Sequence, residues 1–144
     1  MFRIYQRKLF KRSNKRISKR LSKYTKLEIV ELKDEKDTVN PLKKEKDSIK
    51  KHIDEKDNLV ILDIKGKQMP SEEFANFINQ ELTLNSNITF IIGSSNGLDE
   101  DIKKLTNKKI SFSLLTFPHQ LFRVLLLEQI YRAFKIINNE KYHK

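Results

Sequence analysis

The sequence predicts an α/β fold in which a mainly parallel sheet is sandwiched by helices. Segments typical of strands alternate with segments typical of helices along the chain, which favours parallel pairing through crossover connections. Two strand segments, residues 59–64 and 88–92, are apolar at nearly every position, as expected of strands that are covered on both faces. The 144 residues amount to about one domain, and neither an internal repeat nor a linker divides them. We therefore expect a single domain over residues 1–144.

The N-terminal half is predicted to contain a basic helix, a strand and a polar helix. Apolar residues at helical spacing predict a helix within residues 7–26, packed through the stripe Phe10, Ile17, Leu21 and Tyr24. A β-type run follows at residues 27–32. Asn40 and Pro41 offer an N-cap and a first-turn proline for a very polar helix that runs to about Asp57.

The C-terminal half is predicted to alternate strands with helices. After the strand at residues 59–64, Ser71 is the predicted N-cap of a helix whose first turn carries two glutamates. The remaining predicted elements are a strand at residues 88–92, a short helix at about 99–105, a strand at 110–115 and a long helix at about 119–138.

The composition excludes several kinds of site. The chain has no cysteine, which excludes disulfides, thiolate metal sites and thiol nucleophiles and fits a reducing cytoplasm. Its three glycines are too few for phosphate-binding loops of the Walker or dinucleotide type. Neither a metal-ligand spacing nor a secretory signal occurs, and the apolar run at residues 124–127 is far too short to span a bilayer. We expect a soluble, cytoplasmic protein that uses no metal.

The positive charge is concentrated at one end of the chain. Residues 1–26 contain 11 lysines and arginines and no acid, which equals the whole net charge of +11 and leaves the rest of the chain formally neutral. A basic block of this density favours a polyphosphate partner, hence nucleic acid, because phosphates neutralised by the protein release counterions. The alternatives are an anionic membrane surface and a helix face that is merely solvated.

Candidate ligand-binding residues follow the predicted strands, since ligands of open α/β sheets bind beyond the carboxyl ends of the strands. The segment from Gly93 to Gly97 either brings backbone N–H groups close to a ligand or forms a plain tight turn. His119 stands near a predicted helix start, where it is either a capping residue, a surface residue or a base. Arg123 either reaches a phosphate or extends over the core, as a long basic side chain commonly does.

Five segments together resemble the RlmH family of SPOUT-class methyltransferases, which modify a pseudouridine of large-subunit ribosomal RNA. These segments are LDIKGK at 62–67, IGSSNGL at 92–98, SFSLLTFPHQLFRV at 111–124, EQIYRAF at 128–134 and YHK at 142–144. The resemblance covers roughly residues 22–144 in the same order and at nearly the same spacing. The combination is highly specific, although no single segment is.

The resemblance implies a C-terminal deep trefoil knot, an obligate homodimer and S-adenosylmethionine as cofactor at the knot. The implied reaction is methylation at N3 of a pseudouridine in 23S ribosomal RNA, with the assembled ribosome as substrate. The residues that would hold the cofactor are Leu62, Gly93, Phe112, Ser113, Leu114, Leu115, Thr116 and Phe117.

Such a methyl transfer requires alignment of donor and acceptor and removal of the imide proton from N3. His143 and Tyr142 at the C-terminus are the candidates for positioning and activating the base, and Arg123 is the candidate for stabilising the negative charge that develops. His119 is a weaker candidate, because its turn also has a purely structural explanation.

The chain departs from the family pattern at two places. Ser94 replaces the second glycine of a usual pair, so that Gly93 alone must allow the close approach of the loop. The first residues, Met1 to Lys8, are several residues shorter than the usual apolar strand and glycine-containing turn, so the first strand is expected to be altered or absent. The competing hypotheses are a non-catalytic, ribosome-associated RNA-binding protein of the same fold and a basic membrane-surface protein.

Overall fold

The computed structural model describes residues 2–7, 13–32, 39–93 and 97–142. Within these ranges, five strands form one sheet in the order β2-β1-β4-β3-β5, and all the pairings are parallel. The strands are β1 (Phe2–Arg7), β2 (Leu27–Leu32), β3 (Leu59–Lys67), β4 (Ile88–Ile92) and β5 (Lys109–Ile110). The helices are α1 (Ser13–Leu21), α2 (Pro41–His52), α3 (Ser71–Leu84), α4 (Glu100–Lys103) and α5 (His119–Ile137).

The predicted sandwich is confirmed, because alternate residues of the central strands supply two separate cores. Val60 of β3 and Phe90 of β4 belong to the larger core, which is covered by α1, α3 and α5. Ile61 and Ile91, the next residue of each strand, belong to the smaller core under α2 and α4. Burial on both faces explains why these strands are apolar without alternation.

The first strand was expected to be altered or absent, and the alternative that it is absent is wrong. β1 lies inside the sheet, where it pairs with β2 over six residues and with β4 over four. Ile4 is fully buried. Arg3 makes this segment look unlike an inner strand, but its positive charge is paired with two carboxylates that are distant in the sequence. The Arg3 guanidinium lies 3.3 Å from Glu28 and 3.9 Å from Asp57. The strands at the two edges of the sheet are therefore β2 and β5.

Three other boundaries differ from the predictions. The polar helix α2 ends at His52, because the backbone turns at Asp54, whose N–H donates to the Asp57 carboxylate at 2.8 Å. Ser71 is not an N-cap, since Pro70 precedes the helix and the Ser71 hydroxyl donates to Gln129 of α5 at 2.8 Å.

The strand predicted at residues 110–115 is confined to Lys109–Ile110. Beyond it the chain leaves the sheet, held by the Ser111 N–H, which donates to the Lys67 carbonyl at 3.0 Å.

The basic helix is confirmed only over Ser13–Leu21. Ile17, Leu21 and Tyr24 pack in the larger core as predicted, whereas Phe10 lies outside the described residues. The basic side chains Lys15, Arg16, Lys19 and Arg20 are exposed on its outer side. α1 thus covers the same face of the sheet as α3 and α5 and leaves a positive surface outside.

Candidate active site at the carboxyl edge of the sheet

The predicted cofactor residues begin at one edge of the sheet, where β4 and β5 end on either side of Leu62 of β3. Leu62 pairs with Ile92 on one side and with Ile110 on the other. Gly93 and Ser111 follow those two partners directly along the chain, so the backbone beyond both strands starts level with Leu62. We call this end of the sheet the carboxyl edge.

Gly66 fixes the packing of β5 against the far part of β3. A Cβ atom at Gly66 would lie 2.7 Å from backbone atoms of Lys109 and Ile110, far inside van der Waals contact. β3 therefore passes closer to β5 than any other residue type would allow. Together with the hydrogen bond from Ser111 to Lys67, this contact sets where the predicted cofactor loop begins.

Gly93 packs too closely against Gly97 and Leu98 for any other residue type to fit. A Cβ atom there would lie 2.9 Å from both the Gly97 carbonyl oxygen and the Leu98 side chain. Gly97 has a φ of 81°, a left-handed conformation that glycine adopts without strain, and no atom would meet its Cβ. Close packing at Gly93 and a left-handed backbone at Gly97 are the structural reasons for these two glycines, while Ser94 lies outside the described residues.

The run 112–117 is anchored at its ends and exposed in its middle. Phe112 meets Phe74 edge to face at 5.9 Å, and Phe117 meets Phe122 at 5.6 Å. In between, the Ser113 hydroxyl accepts a hydrogen bond from the Leu115 N–H at 2.9 Å.

The exposed residues in the middle of this run are Leu114 (72%), Leu115 (67%) and Thr116. These apolar side chains lie beside backbone that is outside the sheet. This combination suits a nucleoside, because its base has apolar faces and a polar edge. The residues present therefore fit an adenosine-containing cofactor.

Arg123 lies in the first turn of α5 and is 2% exposed. Its guanidinium forms an ion pair with Glu31 of β2 at 2.8 Å. Glu31 pairs with Gln6, which follows the strand pair Tyr5 and Ile91, so this cation also lies at the carboxyl edge.

Tyr142 folds back against the middle of α5. Its hydroxyl donates to the Glu128 carboxylate at 3.2 Å, and its ring meets Tyr131 edge to face at 5.0 Å. The Arg132 guanidinium lies 4.9 Å from the centre of the Tyr142 ring. Burial, and next the negative charge of Glu128, raise the pKa of Tyr142. Its hydroxyl is therefore a neutral hydrogen-bond donor at physiological pH.

The other predicted catalytic residues are not brought together with Tyr142 by described contacts. Arg123 contacts Glu31 on β2, whereas Tyr142 contacts the residues at 128–132. His143 lies outside the described residues, and His119 is the first residue of α5 with its side chain not described.

A polar network around Glu128 was not predicted from the sequence. Arg132 forms an ion pair with Glu128 at 2.8 Å, and the Gln129 amide donates to it at 3.0 Å. Gln129 in turn accepts from Ser71 at the start of α3. The spacing of Glu128 and Arg132, four residues apart on a helix, is the signal that could have indicated this pair.

The described ranges contain neither a candidate metal cluster nor a helix suited to span a membrane. No cluster of three or more histidine, aspartate or glutamate side chains there could hold a metal ion. Among the helices in the described part of the chain, none is long and apolar enough to cross a membrane.

Comparison with known proteins gives consistent matches. A family model described as "Predicted SPOUT methyltransferase" matches residues 4–143. The chain is 50% identical over 136 residues to a protein named ribosomal RNA large subunit methyltransferase H from Clostridium botulinum (strain Kyoto / Type A2), covering 88% of this chain and 86% of that protein. It is 48% identical over 146 residues to ribosomal RNA large subunit methyltransferase H 1 from Clostridium perfringens (strain SM101 / Type A), covering 95% and 92%.

Among solved structures, the tRNA (m1G37) methyltransferase from Aquifex aeolicus resembles this chain with a TM-score of 0.51. The two sequences are 17% identical, and the likeness covers 91% of this chain and 69% of that one. At this identity the match concerns the fold alone.

Proposed function

Since the chain belongs to the SPOUT methyltransferase family, we propose that it transfers a methyl group from S-adenosylmethionine to N3 of a pseudouridine in 23S ribosomal RNA. The observation that carries the proposal is the 50% identity, over most of both chains, to a ribosomal RNA large subunit methyltransferase H. The proposed substrate is the assembled ribosome, and the proposed location is the cytoplasm.

The proposed cofactor residues are Leu62, Gly93 and residues 112–117. Bound S-adenosylmethionine supplies an electrophilic methyl group on its sulfonium. Leu62 and the exposed Leu114 and Leu115 offer apolar surface, and the backbone around them offers hydrogen-bonding groups of the kind that recognise the edge of a base. The close packing of Gly93 against Gly97 and Leu98 supports a cofactor site bounded by these residues at the same edge of the sheet.

The proposed catalytic residues divide between the carboxyl edge and the C-terminal tail, defined here as residues 138–144. His143 is the proposed acceptor of the N3 proton, because an imidazole is the side chain that exchanges a proton near neutral pH. Tyr142, whose hydroxyl stays protonated, is proposed to position the tail and the base. Arg123, held by Glu31, is proposed to stabilise the negative charge that develops on the base.

A homodimer is supported by an exposed apolar patch beside the candidate site. Leu114, Leu115 and Leu121 are 72%, 67% and 42% exposed, and they lie on the cofactor run and the adjoining first turn of α5. Sedimentation equilibrium at micromolar concentration is expected to give a dimer. The double variant Leu114→Ser/Leu115→Ser is expected to shift the protein toward monomer. A wild-type protein that is monomeric yet active would contradict the dimer.

The proposed reaction is tested by transfer of labelled methyl from S-adenosylmethionine to intact ribosomes that lack the modification. Label is expected in 23S ribosomal RNA at a pseudouridine, and the His143→Ala variant is expected to transfer it more slowly. Free 23S RNA serves as the second substrate and is expected to be methylated less well than the ribosome.

Binding of S-adenosylmethionine is measured by titration calorimetry, in parallel with methyl transfer and on the same protein preparations. A folded protein that binds ribosomes but neither binds S-adenosylmethionine nor transfers label would overturn the proposal in favour of a non-catalytic RNA-binding protein. Label on a uridine or cytidine would support the methyltransferase activity but refute pseudouridine as the target nucleotide.

A further inference from the structure

We propose that Glu140 and Glu128 are positioning residues that tie the C-terminal tail to α5 and thereby hold Tyr142 in place. This inference rests on the proposed function, in which the tail takes part in methyl transfer. The two anchors act on Glu140 and Tyr142, the residues on either side of Lys141.

The tail reverses direction directly after α5. Asn139 has a φ of 54°, a left-handed conformation that asparagine tolerates better than most residues. Its N–H donates to the Ile136 carbonyl, and the N–H of Glu140 donates to the Lys135 carbonyl at 2.8 Å. These bonds turn the chain back along the helix that it has just left.

The first anchor joins the tail to α5 and to the turn after α1. The Glu140 carboxylate lies 2.8 Å from the Lys135 ammonium and accepts a hydrogen bond from the Tyr24 hydroxyl at 2.9 Å. Tyr24 is itself fixed by stacking on Phe134, with ring centres 5.4 Å apart and planes within 7°. Lys135, with Tyr24, lowers the pKa of Glu140, so the carboxylate is charged at neutral pH.

The second anchor joins the tail to α5 and, through it, to α3. The Tyr142 hydroxyl donates to Glu128, whose carboxylate is held by Arg132 and Gln129. Gln129 accepts from Ser71 at the start of α3, the helix that follows β3 at the carboxyl edge. A chain of contacts therefore connects the tail to the side of the molecule where the cofactor is proposed to bind.

The anchors restrict Tyr142 in two ways, through its own hydroxyl, which is bound to Glu128, and through Glu140, two residues earlier in the chain. A group displaced by about 1 Å can cost about 100-fold in rate, so this restriction matters for a residue that is proposed to position the base.

The same contacts contribute little to the stability of the fold. Glu140 is exposed, and the side chain of Glu128 is 28% exposed. Ion pairs at such positions are screened by water and typically have small effects on unfolding. Removing an anchor is therefore expected to affect the rate of the reaction while the protein stays folded.

The test compares Glu140→Ala and Glu128→Ala with the control Glu100→Ala. Glu100 is an exposed helix glutamate that forms an ion pair with Lys103 at 3.5 Å under the opposite face of the sheet. Methyl transfer to ribosomes is measured as kcat and KM, together with the thermal midpoint and the affinity for S-adenosylmethionine.

We expect each anchor variant to lower kcat about 10- to 100-fold, with the KM for ribosomes, the cofactor affinity and the thermal midpoint close to wild type. Glu100→Ala is expected to leave all four quantities unchanged. Wild-type kcat in both anchor variants would overturn the inference, and so would a loss explained by a lower thermal midpoint.

A second measurement does not depend on activity. Backbone 15N relaxation of residues 140–142 is expected to show an ordered tail in the wild type and a mobile one in Glu140→Ala and Glu128→Ala. A tail that is ordered in all three proteins refutes the anchors even if methyl transfer is affected. The remaining outcome is a tail that becomes mobile in the variants of a protein whose wild type transfers no methyl group. This outcome would support the role of the two glutamates in holding the tail and would refute the proposed function.

Discussion

Gly66 and Gly93 show how much of the candidate site depends on the absence of single methyl groups. At Gly66 the neighbouring atoms belong to the backbone of β5, and at Gly93 they belong to the turn that ends with Gly97. Backbone cannot rotate away as a side chain does, so a Cβ atom at either position requires a shift of the chain. The sequence left Gly93 as part of a tight turn or as a ligand contact, and the structure adds that its packing against Gly97 and Leu98 leaves no room for a side chain.

Gly93→Ala is expected to lower the free energy of unfolding by about 1–3 kcal/mol and to weaken S-adenosylmethionine binding, because the added methyl group displaces Gly97 and Leu98. Gly97→Ala is the matched control. Its left-handed φ makes alanine unfavourable by about 1–2 kcal/mol, but the methyl group would enter open space. Urea unfolding and titration calorimetry separate the two effects. Equal losses of cofactor affinity in both variants would show that general loop strain, not the position of the Gly93 methyl, is responsible.

Tyr142 is expected to titrate above the ordinary tyrosine value of 10, because burial and the Glu128 carboxylate both disfavour the phenolate and raise its pKa. The folded state binds this proton more tightly than the unfolded state. Its contribution to stability is therefore complete below pH 10 and is lost as the pH rises through the higher folded pKa. The difference in absorbance at 295 nm between wild type and Tyr142→Phe isolates this group. A phenolate that forms below pH 10 would contradict the assignment of Tyr142 as a hydrogen-bond donor.

Among the elements, burial decides which were predictable from sequence. β3 and β4 are covered on both faces, so their apolar runs indicated strands without reference to any partner. β1 was missed because Arg3 looks unsuited to an inner strand until Glu28 and Asp57, which are distant in the sequence, are brought beside it. The Glu128 network was missed for a related reason, since Ser71 and Tyr142 reach it from other parts of the chain.

The junction of α3 with β3 and β5 depends on one buried carboxylate. Glu81 is 7% exposed, and it accepts hydrogen bonds from Asn58 and Lys108, each at 2.7 Å. Asn58 precedes β3 and Lys108 precedes β5, so a single side chain aligns the starts of two strands with the C-terminal part of α3.

Lys108→Met is expected to lower the free energy of unfolding by about 1–3 kcal/mol, because the buried Glu81 carboxylate loses its cation. The double variant Lys108→Met/Glu81→Leu is expected to recover part of that loss, since no charge is then left buried. Lys51→Met, at an exposed position of α2, is the control and should change stability by less than about 0.5 kcal/mol. Urea unfolding measures all three, and a double variant less stable than Lys108→Met would contradict the pairing as the cause.

For the whole molecule, the exposed basic residues of α1 lie on one face of the sheet. α1 carries its exposed lysines and arginines on the outside of the face formed with α3 and α5, while α2 lies across the sheet in the smaller core. Residues 27–144 are formally neutral, so the excess positive charge is confined to one part of the protein. This asymmetry suits contact with the phosphate backbone of an RNA, which the sequence had suggested. The trefoil knot implied by the family resemblance stays a prediction.

The variant Lys15→Gln/Arg16→Gln/Lys19→Gln is expected to weaken ribosome binding and to make it less sensitive to salt. Each phosphate contact that is lost reduces the slope of log K against log salt by roughly 0.7–0.9. The control Lys43→Gln/Lys50→Gln/Lys51→Gln removes three exposed positive charges from α2, across the sheet. Filter binding between 50 and about 200 mM salt measures both slopes. Equal reductions would indicate attraction by net charge, without a dedicated surface on α1.

The place of β1 in the sheet has a consequence for how the protein is made. β1 is synthesised well before β4, yet β4 is one of its two neighbours, with Phe2 opposite Ile88. A nascent chain that ends before β4 therefore has one side of β1 unpaired, and unpaired strand edges recruit other chains. Pairings between segments so far apart in sequence also form slowly. Emerging chains of this protein are thus exposed to aggregation until β4 has been translated.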